Sequence, residues 1–217
     1  MQATNLQTNH LTAPLGMDGG PLFLSWQCTG GLRQTAYEIQ LTADDALVWE
    51  SGKVQSQSMH ADAPTVEGAR ARGSWRIRLW DETGSPGPWS EALFETGLSA
   101  GDWQGLWVDP ETEPVEIPGD DAINAFARPN WERKQAEKEA AGKGKAEPYQ
   151  PHRPASYLRK DFTAPAGCGR LYITAKGLYV AWLNGVRVGD MVLAPGSFTA
   201  NKHLGAQTYD VTNLLRE

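Results

Sequence analysis

The residues of this chain best suited to hold a transition metal are four histidines and two cysteines. His10, His60, His152 and His203 stand isolated, and neither Cys28 nor Cys168 belongs to a Cys-x-x-Cys pair. A zinc site needs clustered ligands at short, regular spacing. These residues therefore read as surface or structural groups, and neither a metal nor another cofactor is expected. Asp44-Asp45 and Asp120-Asp121 are adjacent carboxylates, but no Asp-x-Asp-x-Asp-Gly loop accompanies them. They read as turn residues rather than calcium ligands.

Covalent and acid–base chemistry also lacks a home. There is no Gly-x-Ser-x-Gly elbow and no phosphate loop. Gly167-Cys168-Gly169 is a turn, with no neighbour that would lower the thiol pKa. Paired carboxylates can hydrolyse glycosides. Glu91 and Glu95, and Asp81 and Glu82, are such pairs, but a strand and its turn account for them. No catalytic residue is expected in this chain.

One constellation suits carbohydrate. Sugars stack on flat aromatic faces and hydrogen-bond to Asn, Asp and Arg. Tyr179, Trp182, Asn184, Arg187 and Asp190 fall within one short stretch and are the candidate substrate-binding residues. The competing reading makes Trp182 a core residue and Asn184 a turn former. Trp26, Trp75 and Trp89 read as core.

The elements that must position these residues are strands. In Arg72 to Gly97, Trp75, Ile77 and Leu79 alternate with Arg76, Arg78 and Trp80, the period of a half-buried strand. Asp81 to Pro88 is turn-rich, and Leu93 to Thr96 returns. Upstream, Met1 to Asp18 reads as a polar extended lead-in. Leu22–Trp26, Thr35–Thr42 and Leu47–Trp49 read as strands, the last ended by Ser51-Gly52-Lys53, and Ser58–Ala61 as an edge strand. This is the spacing of a fibronectin-III-like β-sandwich over residues 1–98.

Residues 99–156 read as a linker with a charged insertion. Within it, Trp131–Ala141 suits a short exposed helix capped by Asn130 and ended by Gly142. The run from Gly142 to Pro154 reads as a mobile linker. Residues 157–217 read as an incomplete jelly-roll-like sandwich, with Trp103–Val108 as its first strand. Order returns at Tyr157–Phe162. Leu171–Ala175, Tyr179–Leu183, Met191–Leu193 and Ala206–Val211 read as strands, and Thr212–Leu215 as a helical turn. Asn184-Gly185 is a strong hairpin signal toward Val186–Val188, because a type I′ turn needs positive φ at both central positions. The fold class is thus all-β, two sandwiches in series.

The formal net charge of −6 argues against nucleic acid as a partner. No run approaches the ~20 apolar residues that span a bilayer, so no membrane partner is expected. The first residues show neither a basic stretch nor an apolar run. With two cysteines read as free thiols, the expected location is cytoplasmic.

In order and spacing the chain resembles the N-terminal portion of bacterial α-L-rhamnosidases, a glycoside hydrolase family. The resemblance rests on four blocks. They are Pro14–Asp18 with Leu24–Trp26; Gln34–Ile39 with Trp49–Val54; and Trp75–Asp81 with Trp89–Glu91 and Phe94–Gly97. The fourth joins Leu158–Phe162, Gly177–Tyr179, Leu183–Gly185, Val188–Asp190 and Gln207–Thr212. Ser197–His203 and Ala206 depart from the aromatic residues of similar chains. The resemblance implies a fibronectin-like domain and a β-sandwich that aids substrate recognition. Both would dock on an (α/α)6 barrel lying beyond this chain, which removes terminal α-L-rhamnose with inversion. Rhamnose-containing glycosides would then be partners through that barrel. The other reading is a stand-alone carbohydrate-binding or adhesion module, and a weaker one is a sandwich that binds protein.

Overall fold

A computed structural model describes residues 1–110, 121–145, 155–164, 167–200 and 202–216, with side chains of the helix described from residue 128 onward. The chain forms two compact units, residues 1–104 with 164–217 and residues 105–163.

The first seven strands are β1 (Gln2–Thr8), β2 (Leu22–Thr29), β3 (Ala36–Ala43), β4 (Ala46–Gln55), β5 (His60–Ala63), β6 (Arg72–Trp80) and β7 (Ser90–Glu95). They form two antiparallel sheets, β1-β2-β5 and β4-β3-β6-β7. Alternation puts Leu22, Leu24 and Trp26 of β2, Ile39 and Leu41 of β3, and Trp75, Ile77 and Leu79 of β6 into one core. Each is removed from water, so this face supplies most of the apolar burial that stabilises the sandwich.

Several sequence expectations change. The lead-in is a strand: β1 pairs with β2, although only Ala3 and Thr8 are fully buried along it. Two small residues and an irregularity at Asn5 (φ 48°) erase the hydrophobic alternation that would have disclosed it. β4 does not stop at Ser51–Lys53. Gly52 takes φ 59° at a register shift, and pairing resumes through Gln55. Asp44 and Asp45 take φ 45° and 64° and form the two-residue turn between β3 and β4.

The unit of residues 105–163 contains the helix α1 (Asp121–Ala140), longer than the expected Trp131–Ala141. Asn130 is interior to it rather than its cap, as is Pro129. An Arg128–Glu132 ion pair at 3.4 Å spans that proline, and Arg133–Glu137 at 2.7 Å follows. The helix ends as Gly142 takes φ 66°, with Gly142 N–H donating to Glu139 O and Lys143 N–H to Lys138 O. Tyr157–Phe162 forms no strand, and Tyr157, Leu158 and Phe162 are exposed. Trp103–Val108 likewise forms no strand: it has no ladder partner among the described residues, and Leu106–Val108 lies exposed. Asp120, the side chain of Asp121, His152 and most of the expected linker lie outside the described residues.

After residue 164 come β8 (Arg170–Ile173), β9 (Trp182–Leu183), β10 (Val186–Arg187) and β11 (Gln207–Asp210). They make two antiparallel pairs, β8 with β11 and β9 with β10. Met191–Leu193 is not a strand, because Leu193 turns to φ 56° and ends any extended run. Thr212–Leu214 forms the expected helical turn, of 3-10 type. Among the described residues the architecture is all-β, with antiparallel ladders, apart from α1 and two short 3-10 turns. No helix among the described residues is long and apolar enough to cross a membrane.

Candidate functional site

Of the candidate carbohydrate residues, Trp182, Asn184 and Arg187 lie on the β9–β10 hairpin. Asn184 (φ 52°) and Gly185 (φ 81°) form its turn, as the Asn-Gly signal requires. Asn184 is also a fastening point. Its Nδ2 donates to Leu214 O at 2.8 Å, and its carbonyl accepts from Arg216 Nη2 at 3.0 Å.

Trp182 and Arg187 are cross-strand partners, so their side chains share one face of the hairpin. Trp182 is 63% exposed, which removes it from any core in this structure. Arg187 is exposed too, and its Nη2 donates to Met191 O at 2.9 Å. Asp190 lies exposed beyond β10. Tyr179 is half-buried elsewhere: its hydroxyl donates to Gln207 Oε1 at 2.9 Å and lies 3.4 Å from the Tyr209 hydroxyl. Burial, then the Tyr209 hydroxyl, pushes its pKa up, so it stays a neutral donor. The structure thus brings Trp182 and Arg187 together and gives Tyr179 and Asn184 internal bonding roles.

Other tryptophans offer poorer platforms. Trp26 and Trp75 are core. Trp80 is buried with Lys53 Nζ 4.5 Å from its ring centre, and Arg78 reaches both Trp80 and Trp89 at 5.0 and 4.8 Å. Arg76 lies 4.7 Å from the Trp89 centre. These stacked cations occupy the rings on the outward side of the four-stranded sheet. The Arg76-Arg78-Trp80 alternation signalled an amphipathic face. Trp89, expected in the core, is instead half-buried on this outward face, where the turn brings it beside Arg76 and Arg78.

The carboxylates are committed to structure. Asp81 accepts from the Thr83 hydroxyl and amide, and chiefly that hydroxyl holds its pKa below the usual carboxylate range. Backbone amides of Glu82 itself, Arg33 and Leu32 do the same for Glu82. Asp44 accepts from Arg72 N–H at 3.0 Å. Glu95 is buried at the end of β7, and Arg170 Nε donates to its two oxygens at 3.1 and 3.0 Å. That contact joins residues far apart in sequence, and no local pattern announced it. Asp81 and Glu82 are thus held in the charged form, whereas a general acid needs a raised pKa.

The histidines also have local explanations. His10 and His60 flank the Phe23 ring, and His203 meets Phe198 edge-on. No group of three or more His, Cys, Asp or Glu among the described residues could hold a metal ion. Both cysteines are free thiols. Burial pushes the Cys28 thiol pKa up, away from reactivity.

The strand order β1-β2-β5 over β4-β3-β6-β7 makes the β1–β7 region a β-sandwich of the immunoglobulin and fibronectin class. Family models agree: residues 3–100 match the Rha78A-like, N-terminal immunoglobulin domain, and residues 166–217 match the alpha-L-rhamnosidase N-terminal domain. The chain corresponds to the N-terminal region of α-L-rhamnosidases. An alpha-L-rhamnosidase from Formosa agariphila is 30% identical over 96% of this chain, and one from Alteromonas sp. is 30% identical over 93%. The chain spans 22% and 21% of their lengths. The solved alpha-L-rhamnosidase from Dictyoglumus thermophilum shares the fold, with TM-score 0.73 and 23% identity over 100% of this chain and 24% of its own. That from Aspergillus terreus gives TM-score 0.67 and 24% identity, covering 100% and 22% respectively.

Proposed function

We propose that this chain is the non-catalytic N-terminal portion of an α-L-rhamnosidase that hydrolyses terminal α-L-rhamnose from glycosides. The observation that carries this reading is the succession of the two matched domains. The stand-alone binding module is not favoured, because the relatives matched along nearly all of this chain are α-L-rhamnosidases. The hydrolysis belongs to an (α/α)6 barrel, which inverts the anomeric centre with an acid and a base about 6.5–9.5 Å apart and a water between them.

In this reading the two β-regions support the barrel, and the hairpin aids substrate recognition. Trp182 offers a ring face for the sugar, with Arg187 and Asp190 beside it for hydroxyls, while Tyr179 and Asn184 hold the hairpin's surroundings. The free thiols suit a reducing compartment, and the cytoplasm is the proposed location. The test is direct. The purified chain incubated with nitrophenyl α-L-rhamnoside releases no nitrophenol. Turnover proportional to protein concentration, and abolished by no contaminant control, would place the machinery here and overturn the proposal.

A further inference from the structure

The region after residue 164 has little interior of its own. The hydrophobic core draws every buried member from residues 3–94, whereas among the described residues after 164 the buried apolar ones are Val188, Ala194 and Val211. Two short antiparallel pairs are not independently stable in water. Yet this region belongs to the same compact unit as the sandwich. Something other than a shared apolar core must hold it there.

The structure offers a chain of charges. Glu95 ends β7 of the sandwich, and its side chain is 7% exposed. Arg170 begins β8, directly opposite Asp210 of β11. Its Nε donates to both Glu95 oxygens, and its Nη1 pairs with Asp210 at 3.0 Å. Tyr172 lies on the same face of β8 as Arg170 and donates its hydroxyl to Glu95 at 3.5 Å. Thr208, opposite Tyr172, sits against Gly16 of the β1–β2 loop. A Cβ on Gly16 would lie 2.0 Å from Thr208 Oγ1, so this close approach exists only because residue 16 is glycine.

We propose that Glu95–Arg170–Asp210, seated beside the Gly16–Thr208 contact, is an electrostatic joint that fixes the β8–β11 sheet on the sandwich. Without it the sheet detaches as a unit while the sandwich stays folded. The joint couples two regions that match separate family models. It concerns how this chain is built and stands whether or not the enzymatic reading holds.

Three full-length variants test this: Arg170→Leu, Glu95→Leu and the double substitution. A buried charge left without its partner is far costlier than a neutral apolar pair. Amide hydrogen exchange over β8 and β11 therefore accelerates roughly a hundredfold in each single variant. Exchange over β3 and β6 keeps its native rate. The double variant leaves no orphaned charge but also no joint, so β8 and β11 stay as fast to exchange as in the single variants, and native protection there would overturn the joint. Arg170→Lys, which keeps the charge without the planar fork, falls between. Unchanged exchange in the single variants would overturn the joint. So would loss of protection in β3 and β6 together with β8 and β11, or failure of any single variant to fold, because the pair would then support the sandwich itself.

Discussion

Trp75 Nε1 donates a hydrogen bond to Thr8 Oγ1 at 2.9 Å, across 67 positions of sequence and with both residues removed from water. It ties the centre of β6 in one sheet to the end of β1 in the other. A buried indole N–H without an acceptor carries its full desolvation cost. Thr8→Val keeps the shape and removes the acceptor. The expected loss is about 1–3 kcal/mol of unfolding free energy, read from the shift in urea midpoint at constant slope.

Gln34 performs a similar task with more partners. Its Oε1 accepts from Trp26 Nε1 at 3.0 Å and Cys28 Sγ at 3.3 Å, and its Nε2 donates to the Ser56 and Ser58 carbonyls at 3.1 and 2.8 Å. Gln34→Leu strands the indole and both carbonyls at once. Thermal unfolding is expected to show a loss of at least about 2 kcal/mol, exceeding that of Thr8→Val.

The proposed sugar platform separates from stability. Trp182→Ala removes a ring that is largely in water, so the unfolding free energy changes by about 0.5 kcal/mol or less. The same variant abolishes tryptophan fluorescence changes on titration with methyl α-L-rhamnoside, which the native chain shows. A native chain with no such change, or one that persists in the variant, removes Trp182 from recognition.

Acid acts through Asp210. The Thr212 hydroxyl first, then the Thr212 amide and Arg170, hold its carboxyl below the usual carboxylate range. A folded pKa below the unfolded value of about 3.9 contributes stability fully present above that value. The contribution is lost as pH falls through the folded pKa. Acidification from neutrality to about pH 5 therefore leaves the 3-10 turn intact, and the Asp210 carboxyl carbon titrates below about pH 4 by NMR. Thr212→Val moves that titration upward.

Much of the sandwich was legible in the chain. Trp75-Ile77-Leu79, Ile39-Leu41 and Leu22-Leu24-Trp26 follow the two-residue period of a strand with one wet face, and each became core. β1 was not legible, because its buried positions are Ala3 and Thr8 and a local irregularity breaks its alternation. The Asn184-Gly185 turn was legible because its signal is local. The roles of its neighbours were not. Trp182 is apolar in either setting, and only the packing shows it facing water.

Residue order alone determined that the chain is built of short antiparallel strands, where its tight turns fall, and which family it resembles. Those properties depend on backbone preference and on solvent contact repeated over a few residues. The tertiary structure decided that Glu95 meets Arg170, that Thr8 satisfies Trp75, and that cations cover Trp80 and Trp89. A charge or an indole N–H finds its partner by spatial proximity across sheets, and no periodicity along the chain encodes which distant group arrives.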